Sequence, residues 1–181
     1  DAVLSGFTWI VTQLGGHVLG LRGDGLFAGF GPTASPGATV VAAGLAAAGA
    51  LDSVQRTLNP RLISLGIEPV KARAGIDFGE VVFVRSGTSG VNEVNIVGFS
   101  ANFAAKAEKI ANAWEVVVGE GFVDLLGNDD LVSAHDKSPK EFNRNYERKF
   151  YRFYQYDWRR TLTELEGAIA DQAGIPLETT Y

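Results

Sequence analysis

Residues 15–30 read Gly15-Gly16-His17-Val18-Leu19-Gly20-Leu21-Arg22-Gly23-Asp24-Gly25-Leu26-Phe27-Ala28-Gly29-Phe30. The runs 17–21 and 26–30 have the length and apolar content of strands, and Arg22-Gly23-Asp24-Gly25 between them has turn composition. A β-hairpin with Asp24 at its tip is therefore predicted. Ahead of it, Val3, Phe7, Ile10, Val11 and Leu14 recur at helical spacing over 3–14, and Gly15-Gly16 stops that helix. Behind it, Ser35-Pro36 reads as an N-cap followed by proline at the first helical position. The helix it opens runs to about residue 58, and its Ala and Gly content suits close packing on a sheet.

Farther along, 70–76 and 80–85 read as strands joined by Asp77-Phe78-Gly79 into a second hairpin, with a polar, Gly-rich loop over 86–92. Residues 99–112 form a predicted helix with Phe103, Ala107 and Ile110 on one face and Lys106 and Lys109 nearer its edge. A short buried-type strand (114–118) and a helix (120–126) follow. Then come a polar irregular stretch (128–145), a strand alternating charge with aromatics (146–157), and an amphipathic terminal helix (161–172). Hairpins alternating with helices indicate an α+β class, a mixed α/β sandwich with helices covering a largely antiparallel sheet.

The chain has 181 residues, 46% of them apolar, which is enough for one sizeable core and too few for two ordinary domains. A net charge of −5 argues against broad binding to nucleic acid or an anionic membrane, since either calls for a basic field. Cysteine is absent, so disulfides, thiolate metal sites and thiol nucleophiles are excluded. The apolar stretch 37–51 is shorter than a membrane span, and the amino end shows no signal-peptide pattern. A cytoplasmic location is the expectation. His17 and His135 are the only histidines, which excludes a histidine-rich metal site; they read as a strand residue and a loop residue.

Three segments in order carry a family pattern. The hairpin at 15–30 is the first, Ala72-Arg73-Ala74-Gly75-Ile76-Asp77-Phe78-Gly79-Glu80-Val81-Val82 the second, and Asn95-Ile96-Val97-Gly98-Phe99-Ser100-Ala101-Asn102-Phe103-Ala104-Ala105-Lys106 the third. Together they resemble the catalytic domain of class III nucleotidyl cyclases, a ferredoxin-like fold that turns a nucleoside triphosphate into a 3′,5′-cyclic nucleotide and pyrophosphate. The resemblance covers 1–157, leaving 158–181 as a C-terminal helix and tail. It implies that Asp24 binds two divalent cations, Mg²⁺ or Mn²⁺. A second metal aspartate would lie on the family's first strand, well ahead of the hairpin. Either that strand and its helix precede residue 1, which is the expectation, or the chain is a degenerate relative without them. The chemistry suits the ligand: cyclisation needs an activated 3′-oxygen and a neutralised α-phosphate, and oxygen-bound divalent ions supply both.

The resemblance also assigns Asn102 to orienting the ribose. Lys106 falls where most relatives place an arginine that stabilises the pentavalent phosphorus. Four residues apart, the two share one helical face. Lysine offers a point charge where arginine offers a planar fork, so charge stabilisation survives and bidentate geometry does not. Arg148 and Lys149 lie near the loop that supplies a triphosphate-binding lysine in relatives. Asp77 and the aromatic set Tyr146, Phe150, Tyr151, Phe153, Tyr154 and Tyr156 read as structural, the latter as core and dimer packing.

Base recognition is where the chain departs from the better-known members. Counting three residues back from Gly23 and from Gly98 gives Gly20 and Asn95. Neither matches the lysine and aspartate of adenylate cyclases or the glutamate and cysteine of guanylate cyclases. Gly20 removes a long charged side chain, and Asn95 supplies a neutral acceptor with a donor pair. This resembles the pyrimidine cyclases of bacterial anti-phage signalling, with UTP ahead of CTP as the substrate. The resemblance further implies a head-to-tail homodimer with Asp24 facing Asn102 and Lys106 across the interface. Two other readings stand beside it, an adenylate cyclase with an atypical base pocket and a catalytically silent module that only dimerises or binds nucleotide.

Overall fold

Val116, Val117 and Val118 are each fully buried, and strand alternation sends them to opposite sides of one sheet. Val116 and Val118 join a core with Val40, Ala48, Leu51, Phe122 and Tyr156, while Val117 joins another with Phe103, Ala107, Tyr151 and Phe153. A strand with an apolar residue at every position is thus the centre of a layered structure. This is the arrangement in a computed structural model of the chain, which describes residues 2–31, 35–88, 91–144 and 147–173.

In chain order the elements are α1 (Ala2–Gln13), β1 (Gly16–Arg22), β2 (Gly25–Phe30), α2 (Pro36–Asp52), a π-helical segment (Ser53–Leu58) and α3 (Asn59–Ser64). Then follow β3 (Ala74–Ile76), β4 (Val82–Thr88), β5 (Val91–Val97), α4 (Phe99–Ile110), β6 (Val116–Gly119) and α5 (Glu120–Leu126). A 3₁₀ turn (Asp129–Leu131), β7 (Val132–Ala134), β8 (Lys140–Arg144), β9 (Glu147–Tyr151), β10 (Phe153–Tyr156) and α6 (Trp158–Ala173) complete the order. The central sheet runs β3-β6-β10-β7, with β3 parallel to β6 and the other pairs antiparallel. Helices α2 and α5 lie on one face and α4 on the other. The α+β expectation holds.

Four local expectations are corrected. The strands on either side of Asp77-Phe78-Gly79 do not form a hairpin: β3 pairs with β6, and β4 pairs with β5 in full register from Val82↔Val97 to Thr88↔Val91. The stretch read as a loop over 86–92 is therefore largely strand, with residues 89–90 outside the described set. Its Gly and Ser content weakened the strand signal, and cross-strand pairing overrode it. The single strand expected over 146–157 divides into β9, paired with β8, and β10, paired with β6 and β7. The polar stretch 128–145 supplies β7 and β8, for which no alternation was visible. Tyr146 lies outside the described residues.

Ser35 caps α2 as expected, its hydroxyl accepting from Ala38 N at 3.3 Å. The helical run continues through Pro60 to Ser64, giving 29 residues that by length and composition could cross a membrane. In this fold the run packs on α1, α5 and α6. Close approach is also what Gly75 provides: a Cβ there would run into Glu108 N and Ala104 O, so α4 lies directly on the backbone of β3. Fixing α4 against the sheet fixes whatever its outer face presents.

Candidate active site

The β1–β2 hairpin closes on the two residues Gly23 and Asp24, with Arg22 opposite Gly25. Gly23 has φ +64°, a left-handed value at the first loop position that glycine adopts without strain and that matches the twist of the strands. Asp24 is exposed beside it. It is a carboxylate on a rigid turn, an oxygen donor of the kind Mg²⁺ and Mn²⁺ take. Among the described residues, no group of three or more His, Cys, Asp or Glu side chains is arranged to hold a metal.

Asn102 and Lys106 stand one turn apart on α4 and are both exposed, while Phe103 and Ala107 of the same helix are buried. The Lys106 ammonium lies over the Phe142 ring, 5.0 Å from its centre. Phe142 belongs to β8, directly opposite Lys149 of β9, with Arg148 opposite Asn143. Directly opposed residues of an antiparallel pair share a face. Lys149 and Tyr151 accordingly lie on the Phe142 side of the hairpin, toward α4, and Arg148 and Phe150 on the other side. Phe150 is 73% exposed. Of the two candidate triphosphate cations, Lys149 is thus the one brought toward Lys106. Its ammonium is paired with Glu147 at 2.7 Å, which holds the Glu147 carboxyl below its usual value through the hydrogen bond first and the lysine charge second.

Asp24 is not brought to α4 within the chain. The β1–β2 hairpin packs on α1 and α2, whereas α4 packs on β3, β6 and β5. Gly20 sits just after an irregularity in the β1–β2 register, and a Cβ placed on it would meet nothing within 4 Å. Asn95 is half-buried in β5 opposite Val84. The β1–β2 hairpin approaches β5 at Gly29 of β2, where a Cβ would lie 3.9 Å from Ile96 Cδ1.

The scaffold beneath α4 contains a hydrogen-bonded group that the sequence did not reveal. Tyr151 donates its hydroxyl to the Asp77 carboxylate and accepts from Gly121 N at 3.1 Å. Burial, then the neighbouring Asp77 charge, pushes the Tyr151 hydroxyl well above its ordinary range. The Tyr151 ring meets Phe99 at 4.8 Å and Phe103 at 4.7 Å, both on α4. Asp77 is thus structural, as read, but it ties the end of β3 to β9 instead of closing a hairpin. His17 is an exposed β1 residue. His135 follows β7 and is buried, its Nε2 3.4 Å from Glu115 Oε1.

No family model matches the chain. Two curated proteins are similar to it, a cytidylate cyclase of Staphylococcus aureus at 26% identity over 130 residues (70% of this chain) and a cytidylate cyclase of Escherichia coli at 26% over 169 residues (84%). The chain spans about a third of the length of these relatives, 31% and 36% respectively. Among solved structures, the adenylyl cyclase CyaB from P. aeruginosa superposes with a TM-score of 0.73 at 21% identity, covering 86% of this chain and 78% of that one. The guanylate cyclase domain of RhGC from Catenaria anguillulae, in complex with GTP, superposes with a TM-score of 0.70 at 15% identity, covering 86% and 79%.

Proposed function

We propose that this domain, which has the fold of the class III nucleotidyl cyclases and resembles cytidylate cyclases in sequence, converts a pyrimidine nucleoside triphosphate to its 3′,5′-cyclic monophosphate and pyrophosphate. The observation that carries the reading is the exposed face of α4, where an amide and an ammonium stand one turn apart, above a hairpin that adds Lys149 on the same side. In the proposed reaction the 3′-oxygen attacks the α-phosphorus in line and the bond to the bridging oxygen of pyrophosphate breaks. Asn102 orients the ribose so that this oxygen is aligned. Lys106 opposes the charge that grows on the α-phosphate. Lys149 binds the leaving polyphosphate, and Asp24, with its partners from the nucleotide, would hold Mg²⁺ or Mn²⁺. Such an ion makes the 3′-hydroxyl more acidic and screens the phosphate charge.

The base reading rests on Gly20 and Asn95. Open space at Gly20 leaves no cation for adenine, and the Asn95 amide can offer either its oxygen or its NH₂ group. Uracil presents an acceptor where cytosine presents a donor, so this one amide serves both. The sequence favoured UTP; the name borne by the two curated relatives supports CTP, which we place first. By the same resemblance the product is proposed to signal in anti-phage defence, and the site to assemble between two copies of the chain. Incubation with ATP, GTP, CTP and UTP in separate reactions with Mn²⁺, read by mass spectrometry of the products, is the test. Cyclic CMP or cyclic UMP is expected. Cyclic AMP as the sole product would overturn the pyrimidine assignment, and no cyclic product from any triphosphate would overturn catalysis.

A further inference from the structure

We infer that Phe142 is the positioning residue for Lys106: its ring face holds the ammonium at the place from which it opposes charge on the α-phosphate. This rests on the cyclase reading given above. Lysine carries its charge on four rotatable carbons, and a free one would have to be ordered each time a nucleotide binds. At this position the Lys106 ammonium sits 5.0 Å from the centre of the Phe142 ring, within the range where a cation is attracted to an aromatic face. The ring itself is fixed. It stands edge-on to Phe103 at 5.3 Å and 80°, to Phe99 at 6.3 Å and 82°, and to Tyr151 at 6.5 Å and 87°. Phe103 is 1% exposed, so the base of this stack belongs to the core.

The ammonium offers three N–H donors. One side can rest on the ring while another donor reaches a phosphate oxygen, so the contact need not break when the nucleotide arrives. Phe142 therefore does for the lysine what the planar guanidinium does for itself in relatives: it limits the directions in which the charge can point. Because Phe142 faces Lys149 across β8–β9, the platform also sets the spacing between the two cations.

The test uses the chain with Phe142→Leu, which keeps an apolar side chain without a π face, and Phe142→Tyr, which keeps the ring. Two readouts are taken. In ¹³C-lysine NMR without nucleotide, the Lys106 ε-CH₂ protons, assigned through Lys106→Met, are expected to be ring-current shifted upfield in the parent and in Phe142→Tyr, and to return to the ordinary lysine position in Phe142→Leu. In steady-state cyclisation of CTP and UTP, Phe142→Leu is expected to lower kcat about five- to tenfold with KM within twofold, from the range of cation–π strengths. Phe142→Tyr should stay within twofold of the parent. In a Lys106→Met background the Phe142→Leu effect should vanish, since the two changes remove one interaction. An unchanged kcat in a folded Phe142→Leu protein, or a loss that persists in the Lys106→Met background, overturns the inference. If the parent cyclises nothing, the cyclase reading fails, and the NMR comparison by itself decides whether Phe142 holds Lys106.

Discussion

Tyr151 donates its hydroxyl to both carboxylate oxygens of Asp77, at 2.9 and 3.0 Å, and so joins the end of β3 to the end of β9 beneath the helix that bears Asn102 and Lys106. The same oxygen accepts from Gly121 N, which brings the β6–α5 junction into the group. Three segments distant in sequence meet at one phenol. Tyr151→Phe keeps the ring contacts to Phe99 and Phe103 but removes these bonds. It is expected to cost about 1.5–3 kcal/mol, the range for hydrogen bonds to charged groups, read from the midpoint of urea unfolding.

That substitution should also change the alkaline limb of stability. An unfolded tyrosine loses its proton near pH 10, whereas burial and the Asp77 charge keep folded Tyr151 protonated well above that. Above about pH 10 the unfolded chain thus binds fewer protons than the folded one, and stability falls as pH rises. Below that pH the contribution is fully present. Tyr156 is shifted in the same direction, chiefly by burial, and contributes a slope of the same sign. Urea unfolding across pH 8 to 11, to order of magnitude in this window, should show a shallower decline in Tyr151→Phe than in the parent. Equal slopes would mean that Tyr151 titrates as an ordinary phenol.

Gly75 sets how close α4 comes to the sheet, since any Cβ there meets the helix backbone at Ala104 and Glu108. Gly75→Ala must lift or rotate α4 because backbone, unlike a side-chain tip, cannot swing aside. The expected result is a loss of about 1–3 kcal/mol from overpacking, with cyclase activity falling further than stability because Asn102 and Lys106 move with the helix. Circular dichroism melting and product formation at a temperature where the variant is still folded separate the two effects.

Lys106→Ala is expected to lower kcat by about 10²–10³, the scale for removing one group that stabilises developing charge, and Asn102→Ala by a comparable factor through misaligned ribose. Both side chains are exposed, so melting temperature should move little. Lys106→Arg should retain most activity if charge is what matters. A Lys106→Ala protein with parental kcat would remove this residue from the reaction.

Asp24→Asn leaves an isosteric residue on an exposed turn, and the hairpin should fold unchanged because its φ demand falls on Gly23. Cyclisation is expected to drop by at least tenfold, with a raised Mn²⁺ requirement, since a neutral amide is a weaker oxygen ligand than a carboxylate. Activity measured against Mn²⁺ concentration distinguishes this from misfolding.

What the sequence disclosed follows from where its signals are local. Gly23 and Asp24 announce a turn, Ser35-Pro36 announces a helix start, and Val116 to Val118 announce burial, each through neighbours in the chain. Phe142 gave no such signal, being a lone apolar residue in a polar stretch, and its role depends on α4 meeting it from far away in sequence. The β3–β4 hairpin was misread for the same reason: turn-like residues at Asp77 to Gly79 are compatible with a bend between strands that pair elsewhere. The motif residues are assigned as a set by resemblance alone, and the side of the hairpin on which Lys149 and Arg148 lie comes only from the Phe142↔Lys149 register.

Base preference offers the last test, because Gly20 and Asn95 can be altered without crowding the fold. A Cβ at Gly20 meets nothing within 4 Å, so Gly20→Lys should be accommodated on β1, and Asn95→Asp preserves shape on β5. Together they install the cation and anion that the resemblance assigns to adenine reading in adenylate cyclases. A site built around base hydrogen bonds rejects bases that leave its groups unpaired, so the double variant should lose CTP and UTP turnover by about tenfold or more, as one unpaired buried group costs roughly 1–3 kcal/mol. Its ATP turnover should rise above that of the parent. Either single variant should lose pyrimidine turnover without gaining ATP, because each leaves one new charge without its partner. If the double variant keeps its pyrimidine preference, Gly20 and Asn95 do not read the base, and the pocket must be sought on other residues of β1 and β5.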